Sequence, residues 1–471
     1  MKRKNAYLVG IKGVAMTALA VYLKQQGYEV LGSDVEEVFP TDNILKEQGI
    51  KVKKGFDAQN INKDFDLVVV TGAHGGMTNI EAKRAREIGL LTLMHGEMVG
   101  RLMEGKTGIS VAGCHGKTTT SSMTAFLLHQ GGYNPSYLIG TPKINDLGPA
   151  GHYALGDIIV VEADEYLTCP KTCPKPRFLW QKPKIAVITN IEYDHPDAFG
   201  NISQVEEAFL AFAQKVKKNG TIVACVDNES IRNILPKIEN EVITYGFSQR
   251  ADFCIEKFSF TDYLSFMRIR YKNIEIGDFT LKVAGKHNLL NALAAGITVN
   301  LLGESWEKVR QNIRLYSGCK RRLEKIGRVA EIDFFDDYAH HPSEIKATLC
   351  AVRNWYPQKR IIVVFQPHTF SRTKVLINEF ARSFEKADIV IIPDIYPSAR
   401  EKYDSSITSV KLVMEINRYK KNAVYKKSKK EVISYLEKNI LANDLIITMG
   451  AGNIYGWHRD LLESLRNKFH E

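Results

Sequence analysis

The segment GCHGKTTT at 113–120 packs glycines, a lysine and hydroxyls into one short run. Glycines let a backbone curl until its N–H groups, with the N-terminus of a following helix, surround phosphate oxygens. Lys117 can then reach the outer phosphates, and the Thr118 hydroxyl can coordinate Mg²⁺. Strict P-loop spacing asks for glycine at position 111, where this chain has Val111. The run still follows an apolar strand pattern and precedes a helical one, which is the context phosphate binding requires. Gly113, His115, Gly116, Lys117, Thr118 and Thr119 are therefore the candidate nucleotide cradle. EADEY at 162–166 ends an apolar strand, and NIEYDHPDAFG at 190–200 follows the next. Ligands bind at such ends in parallel sheets, so Glu162 and His195 can help hold a hard cation that also takes phosphate oxygens. A solvated strand end is the plainer reading of each.

Other clusters carry amides and cations. GKHNLLNALAA at 285–295 sets Asn288 and Asn291 on one helix face beside His287; amides so placed can read a purine edge or cap a helix. CKRRLE at 319–324, DDYAHHP at 336–342 and FQPHTFSRT at 365–373 bring Arg322, Asp337, Tyr338, His340, His368 and Arg372 to strand-like stretches. Guanidinium groups suit carboxylates and phosphates through planar, paired contacts. His340 and His341 are adjacent and would diverge, which weighs against zinc. GIKGVAM at 10–16 lies between a strand and a helix, with Asp34 closing the next strand. Gly10, Gly13 and Asp34 are candidate contacts for a diphosphate and a ribose hydroxyl. The third glycine of a dinucleotide turn is missing, so NAD, a UDP-type diphosphate and a purely structural turn stay open.

The elements that must position these groups alternate between strand and helix patterns, which predicts parallel α/β sheets. Strands are expected at 6–10, 28–34 and 66–72, then at 108–113, 157–164 and 184–191, and finally at 360–367, 387–395 and 444–452. An added antiparallel stretch is expected near 240–285. At 471 residues the chain suits about three domains: 1–105, 106–315 and 316–471.

Hydrophobic residues make up 44% and charged residues 25%, which excludes a disordered or collagen-like chain. No apolar run approaches the roughly 20 residues that span a bilayer, and the basic N-terminus enters a strand rather than a signal peptide. Seven cysteines, an odd number in a long chain, suit free thiols in the cytoplasm. A net charge of +11 fits either a phosphate-rich ligand or a lysine-rich surface. No nucleic-acid-binding motif and no membrane segment is expected.

In this order the motifs resemble the Mur ligase family, and within it the branch that adds L-alanine. The match runs from GIKGVAM to GAGNIY at 450–455, nearly the whole chain. The resemblance implies three α/β domains: an N-terminal Rossmann-like one for the UDP-sugar, a central P-loop-type ATPase with a mixed sheet, and a C-terminal Rossmann-like one for the amino acid. It implies ATP-dependent amide formation between UDP-N-acetylmuramate and L-alanine through an acyl phosphate, a step of peptidoglycan synthesis. ATP and Mg²⁺ would be the cofactors, and the enzyme a cytoplasmic monomer or homodimer. Carried over by position, Lys117 would bind the β- and γ-phosphates, Thr118 one Mg²⁺, and Glu162 and His195 a second. His287, Asn288 and Asn291 match the adenine side; Arg322 and Asp337 match the C-terminal contribution to ATP. Tyr338, His340, His368 and Arg372 match positions near the substrate carboxylate and the incoming alanine. The catalytic set would be Lys117, Glu162, His195, His340 and Arg372, with His195, His340 or water taking the amine's proton.

Three departures stand out. The first turn carries fewer glycines than usual in the family, Thr369 stands where arginine is common, and an insertion at 167–183 resembles the branch that recycles a murein tripeptide. The tripeptide is thus the alternative amino donor. An NAD-dependent oxidoreductase would leave GCHGKTTT unused, and a non-catalytic paralogue sits badly with intact Lys117, Thr118, Glu162 and His195.

Overall fold

In the computed structural model, which describes residues 4–261, 263–397 and 401–469, three main sheets follow one another along the chain. The first has five parallel strands in the order Lys51–Lys54, Glu29–Asp34, Asn5–Val9, Leu67–Val70, Thr92–Met94. Chain order reverses between Asn5–Val9 and Leu67–Val70, so a crevice opens at their C-terminal ends, beside Gly10 and Thr71. The helix Val14–Gln25 is buried on every side from 16 to 23. A helix apolar all round must be covered all round. One side of this one lies on its own sheet, and the other on Ser136–Ile144 and Gly148–His152 of the next unit. One apolar cluster accordingly joins Leu19 and Val69 to Leu138 and Val161.

The second sheet has ten strands, ordered Ile274–Leu281, Leu264–Tyr271, Phe253–Thr261, Glu241–Gly246, Thr221–Cys225, Ile185–Ile188, Thr107–Ala112, Ile158–Ala163, Ser136–Ile144, Gly148–His152. Its middle is parallel and both its ends are antiparallel. The antiparallel stretch is shorter than the sequence suggests. Glu241–Gly246 pairs parallel with Thr221–Cys225 because the helix Glu229–Ile234 between them gives the chain length to cross back. On this side of the sheet, antiparallel pairing begins only with the consecutive strands Phe253–Thr261, Leu264–Tyr271 and Ile274–Leu281.

The third sheet has six strands, ordered Glu324–Val329, Ile332–Asp337, Leu445–Met449, Ile361–Phe365, Ile389–Ile392, Ala423–Tyr425; all pair parallel but the first. IIVVF and LIITM are unbroken apolar runs because both faces are covered. The chain enters this unit through 317–320, which is held along the second sheet. Ser317 donates from its backbone N–H and its hydroxyl to Asp146 at 2.8 and 2.9 Å, and Lys320 N–H donates to the Lys143 carbonyl at 3.0 Å.

The insertion leaves the second unit and lies on the first. It forms an antiparallel hairpin, Leu167–Cys169 with Cys173–Pro176, then a 3₁₀ turn, Arg177–Trp180. Cys169 is buried among Tyr7, Val68 and Met94 of the first unit. A side chain at Gly72 would put its first carbon 2.0 Å from the Thr168 carbonyl oxygen, and one at Gly100 would lie 2.4 Å from that of Trp180. The hairpin is a strap closed over the first sheet. No helix among the described residues is long and apolar enough to cross a membrane.

Candidate active site

The loop before the helix Lys117–Gln130 needs its glycines. A side chain at Gly116, where φ is 78°, would meet Asn291 Oδ1 at 2.6 Å, and one at Gly113 would meet Thr189 Oγ1 at 2.0 Å. Lys117 folds back on this loop, its Nζ donating to the Gly113 carbonyl at 2.5 Å, the Cys114 carbonyl at 3.1 Å and Glu165 Oε2 at 2.8 Å. Burial would lower its pKa, but Glu165, helped by Asp164 and Glu162, raises it above the ordinary lysine range. The amine thus keeps its charge inside the glycine loop. Thr118 Oγ1 donates to Glu162 Oε1 at 3.1 Å and accepts from Arg322 Nη2 at 3.0 Å. Burial lifts the Glu162 pKa above its ordinary value.

His195 has a left-handed backbone, φ 61°, a strained conformation of the kind that collects at functional sites. Its Nε2 lies 3.5 Å from Glu165 Oε1 and 3.7 Å from Asp194 Oδ2. Burial lowers its pKa, yet Asp194 and Glu165 more than reverse this, and the net shift is upward. Glu165 Oε1 is buried without a hydrogen-bond partner among the described residues. Asp164, Glu165 and His195 offer ligand atoms within 4.8 Å of one another. A buried, oxygen-rich set with an orphaned carboxylate oxygen suits a hard cation. Glu162 faces Thr118, and His195 faces Glu165.

The third unit reaches into this centre. Arg372, only 4% exposed, places Nε and Nη2 each 2.8 Å from Asp194 Oδ1. Tyr338 lies with its ring 5.0 Å from both the Arg321 and Arg322 guanidinium carbons, within cation–π range. His340 Nδ1 is 3.0 Å from the Tyr338 carbonyl and 3.2 Å from Glu344 Oε2. Burial pushes both His340 and His368 down to about 3, so both rings are neutral at ordinary pH. Burial lifts Asp337 to about 6 in spite of Arg322. His115 lies between two carboxylates, Nε2 at 3.3 Å from Glu192 and Nδ1 at 3.3 Å from Glu344. Burial lowers its pKa, but Glu344 and Glu192 carry it up to about 10. His341 turns to the same Glu192, at 3.6 Å, so the neighbouring histidines do diverge. Thr369 is not a cation, and its unusual φ of 72° opens the short helix Phe370–Val375, its hydroxyl accepting from the Arg372 N–H at 3.3 Å.

Gly10, Gly13, Lys117, Glu162, His340 and Arg372 all line one cavity of about 520 Å³ where the three units meet. Asp34, Tyr338, His195 and His368 face it too. Asp34 Oδ2 accepts the Lys12 N–H at 2.7 Å and Oδ1 the Val35 N–H at 2.8 Å, so this carboxylate pins the glycine turn. A smaller cavity of about 240 Å³ shares the walls His115, Gly116 and Arg322 and adds Thr119, Asp337 and His287. Asn288 and Asn291 line it as well; Asn288 Nδ2 donates to the Ala284 carbonyl at 2.7 Å, and Asn291 Oδ1 accepts from Thr120 at 3.1 Å. Sequence reasoning missed the acids that hold the cations: Glu165, Asp194, Glu192 and Glu344. Glu165 stood in view as the second glutamate of EADEY. Glu192 and Asp194 stood within NIEYDHPDAFG, but their partners lie far along the chain, and Glu344 gave no local signal.

Residues 5–107 match the Mur ligase family catalytic domain, 111–299 the Mur ligase middle domain and 321–452 the Mur ligase glutamate ligase domain. The UDP-N-acetylmuramate–L-alanine ligase of Caldanaerobacter subterraneus subsp. tengcongensis is 38% identical over 98% of this chain and 98% of its own length. Among solved structures, the UDP-N-acetylmuramate-alanine ligase of Thermotoga maritima is 25% identical and superposes with a TM-score of 0.80, covering 99% of this chain and all of that one (100%). A murein peptide ligase from Psychrobacter arcticus is 24% identical with a TM-score of 0.73, covering 98% and 99%.

Proposed function

The chain belongs to the Mur ligase family, and from that premise we propose that it joins L-alanine to the carboxylate of UDP-N-acetylmuramate, using ATP, as a step of peptidoglycan-precursor synthesis. One observation carries the reading: a single cavity takes the glycine turn of the first unit, Lys117 and Glu162 of the second, and His340 and Arg372 of the third. Three substrates need three providers around one centre. We divide the chain accordingly, 1–105 for the UDP-sugar, 106–315 for ATP and 316–471 for the amino acid; three separate sheets support that division. The strap is the feature that favours a murein tripeptide as amino donor, but the relative reported at 38% identity is an alanine ligase.

In the reaction, a carboxylate oxygen of the sugar acid attacks the γ-phosphorus of ATP and ADP leaves. The alanine amine then attacks the acyl carbon of the acyl phosphate, and the tetrahedral intermediate expels phosphate to leave the amide. The protein acts by positioning and by neutralising charge. Lys117 and Arg322 meet the transferring phosphoryl group, and Asp337, with His287, Asn288 and Asn291, takes the nucleoside end. Thr118, Glu162 and His195, joined by Glu165, would hold Mg²⁺, which supplies neutralisation of phosphate charge. His340 and His368, with pKa values of about 3, are too weakly basic to take the amine's proton, and Asp194 and Glu165 favour the protonated form of His195, so water takes that proton. Arg372 orients carboxylates through its fork. Bringing the third unit onto the nucleotide excludes water from the acyl phosphate. We place the enzyme in the cytoplasm, as a monomer or homodimer.

Phosphate release should require UDP-N-acetylmuramate, ATP, Mg²⁺ and an amino donor, with L-alanine preferred over glycine, L-serine and the tripeptide. Lys117→Ala should lower turnover by at least about a hundredfold. Ordinary turnover in that variant, or no phosphate from the parent with any donor, would refute the assignment.

A further inference from the structure

Among the described residues, the first unit aims no lysine or arginine of its own into the crevice for a diphosphate. Lys12, in the glycine turn, points its Nζ away, donating to the Val35 and Glu37 carbonyls at 3.0 and 2.8 Å. His95, at the crevice wall, is pushed down to about 4 by burial and is neutral. The N-terminus of Val14–Gln25 contributes only partial charge. Two full negative charges in a crevice need more than that.

Arg177 of the strap fills the gap. Its Nη1 donates to Asp164 Oδ2 at 2.7 Å, and its backbone N–H donates to the Tyr166 carbonyl at 2.9 Å, so the side chain is anchored. The guanidinium lines the central cavity beside Gly72 and His95, and Nη2 lies 3.6 Å from where a side chain at Gly72 would begin. Gly72 follows Thr71, whose methyl fills the space above Gly10. Among the described residues no side chain accepts from Nη2. One edge of the fork is thus held by Asp164 while the other faces the C-terminal edge of the first sheet, next to the glycine turn.

We propose that Arg177, carried over from the strap, binds the diphosphate of the nucleotide sugar in the first unit's crevice. The inference rests on the nucleotide-sugar reading above and adds a residue to it. The strap then has a second purpose besides joining two units: it brings a guanidinium to a site whose own sheet supplies none. Asp164 keeps the fork at the right angle and shares its charge, so the arginine presents one edge only. That geometry suits a tetrahedral phosphate oxygen pair.

The test is binding of UDP, UDP-N-acetylglucosamine and UDP-N-acetylmuramate to the full chain, by calorimetry, in the parent and in Arg177→Gln and Arg177→Lys. Losing a charge-assisted contact to a phosphate should weaken all three ligands roughly tenfold or more in Arg177→Gln, with Arg177→Lys intermediate. KM for ATP and the melting temperature should stay at the parent's values, which a merely structural arginine would not allow. Equal affinities in parent and Arg177→Gln overturn the inference. So does weakening confined to UDP-N-acetylmuramate, because the arginine would then be reading the lactyl carboxylate, which the other two lack. A parent that binds none of the three refutes the nucleotide-sugar reading itself.

Discussion

The two junctions of this molecule are built from opposite materials. Between the first and second units lie an apolar helix shared by two sheets, a common core cluster and a strap whose backbone touches glycines. Between the second and third lie mostly charges: Arg372 on Asp194, His115 between Glu192 and Glu344, Arg322 on Thr118, and Ser343 on Glu192 at 2.6 Å, with one aromatic contact of Tyr263 on Trp355 and Tyr356 at the far side. Apolar surface separates only at the cost of exposing it to water. Polar pairs can exchange partners with water or with a nucleotide. The first junction is therefore a weld and the second a latch, and the latch carries the groups proposed to be catalytic.

The largest effect should come from breaking the weld. A side chain at Gly151 would start 1.8 Å from the Ala18 carbonyl oxygen, with backbone on both sides and nowhere to move. Gly151→Val should cost about 3 kcal/mol or more, and calorimetry should show the first and second units losing stability together. Independent melting of the first unit at its parental temperature would show that the junction is no weld.

Cutting the latch should give a smaller and different result. Asp194→Ala leaves the Arg372 guanidinium buried and unpaired, a situation worth about 3–5 kcal/mol when nothing can relax. Here the third unit can swing away and hydrate it. Small-angle scattering should report an expanded unliganded protein whose folded core melts as before. Unfolding with unchanged dimensions would erase the distinction between the junctions.

The smallest expected effect is a pH dependence. His115 has a folded pKa of about 10 against 6.5 for the free side chain. It binds a proton more tightly when folded, so its contribution is whole below pH 6.5 and disappears as pH rises through 10. Between those values the parent should lose more stability than His115→Gln, in thermal melts taken at each pH. Parallel curves would mean that the ring carries no charge in the latch.

Much of this was legible in the residues. GCHGKTTT announced strand, turn and helix, because glycine, lysine and hydroxyl spacing is local chemistry. DDYAHHP and FQPHTFSRT likewise reach the cavity from strand ends. The acids opposite them were not legible as partners: Lys117 meets Glu165 across 48 positions, and Arg372 meets Asp194 across 178. No spacing rule extends that far. The central sheet was readable as mixed, but not where parallel gives way to antiparallel, since Glu241–Gly246 pairs parallel with both Thr221–Cys225 and Phe253–Thr261. The insertion read only as a departure, since its docking surface belongs to another unit.

The segment 317–320, stitched along the edge of the central sheet, has a mechanical consequence. If the third unit swings, it does so about this fixed point, and displacement grows with distance from a pivot. Arg322 follows the stitch directly and would stay close to Thr118 and the proposed nucleotide site through a modest rotation. Arg372 and His368 stand at the far end of the lever and would sweep widely. Geometry alone would then impose a sequence, with the nucleotide engaged early and the amine's side of the centre assembled last.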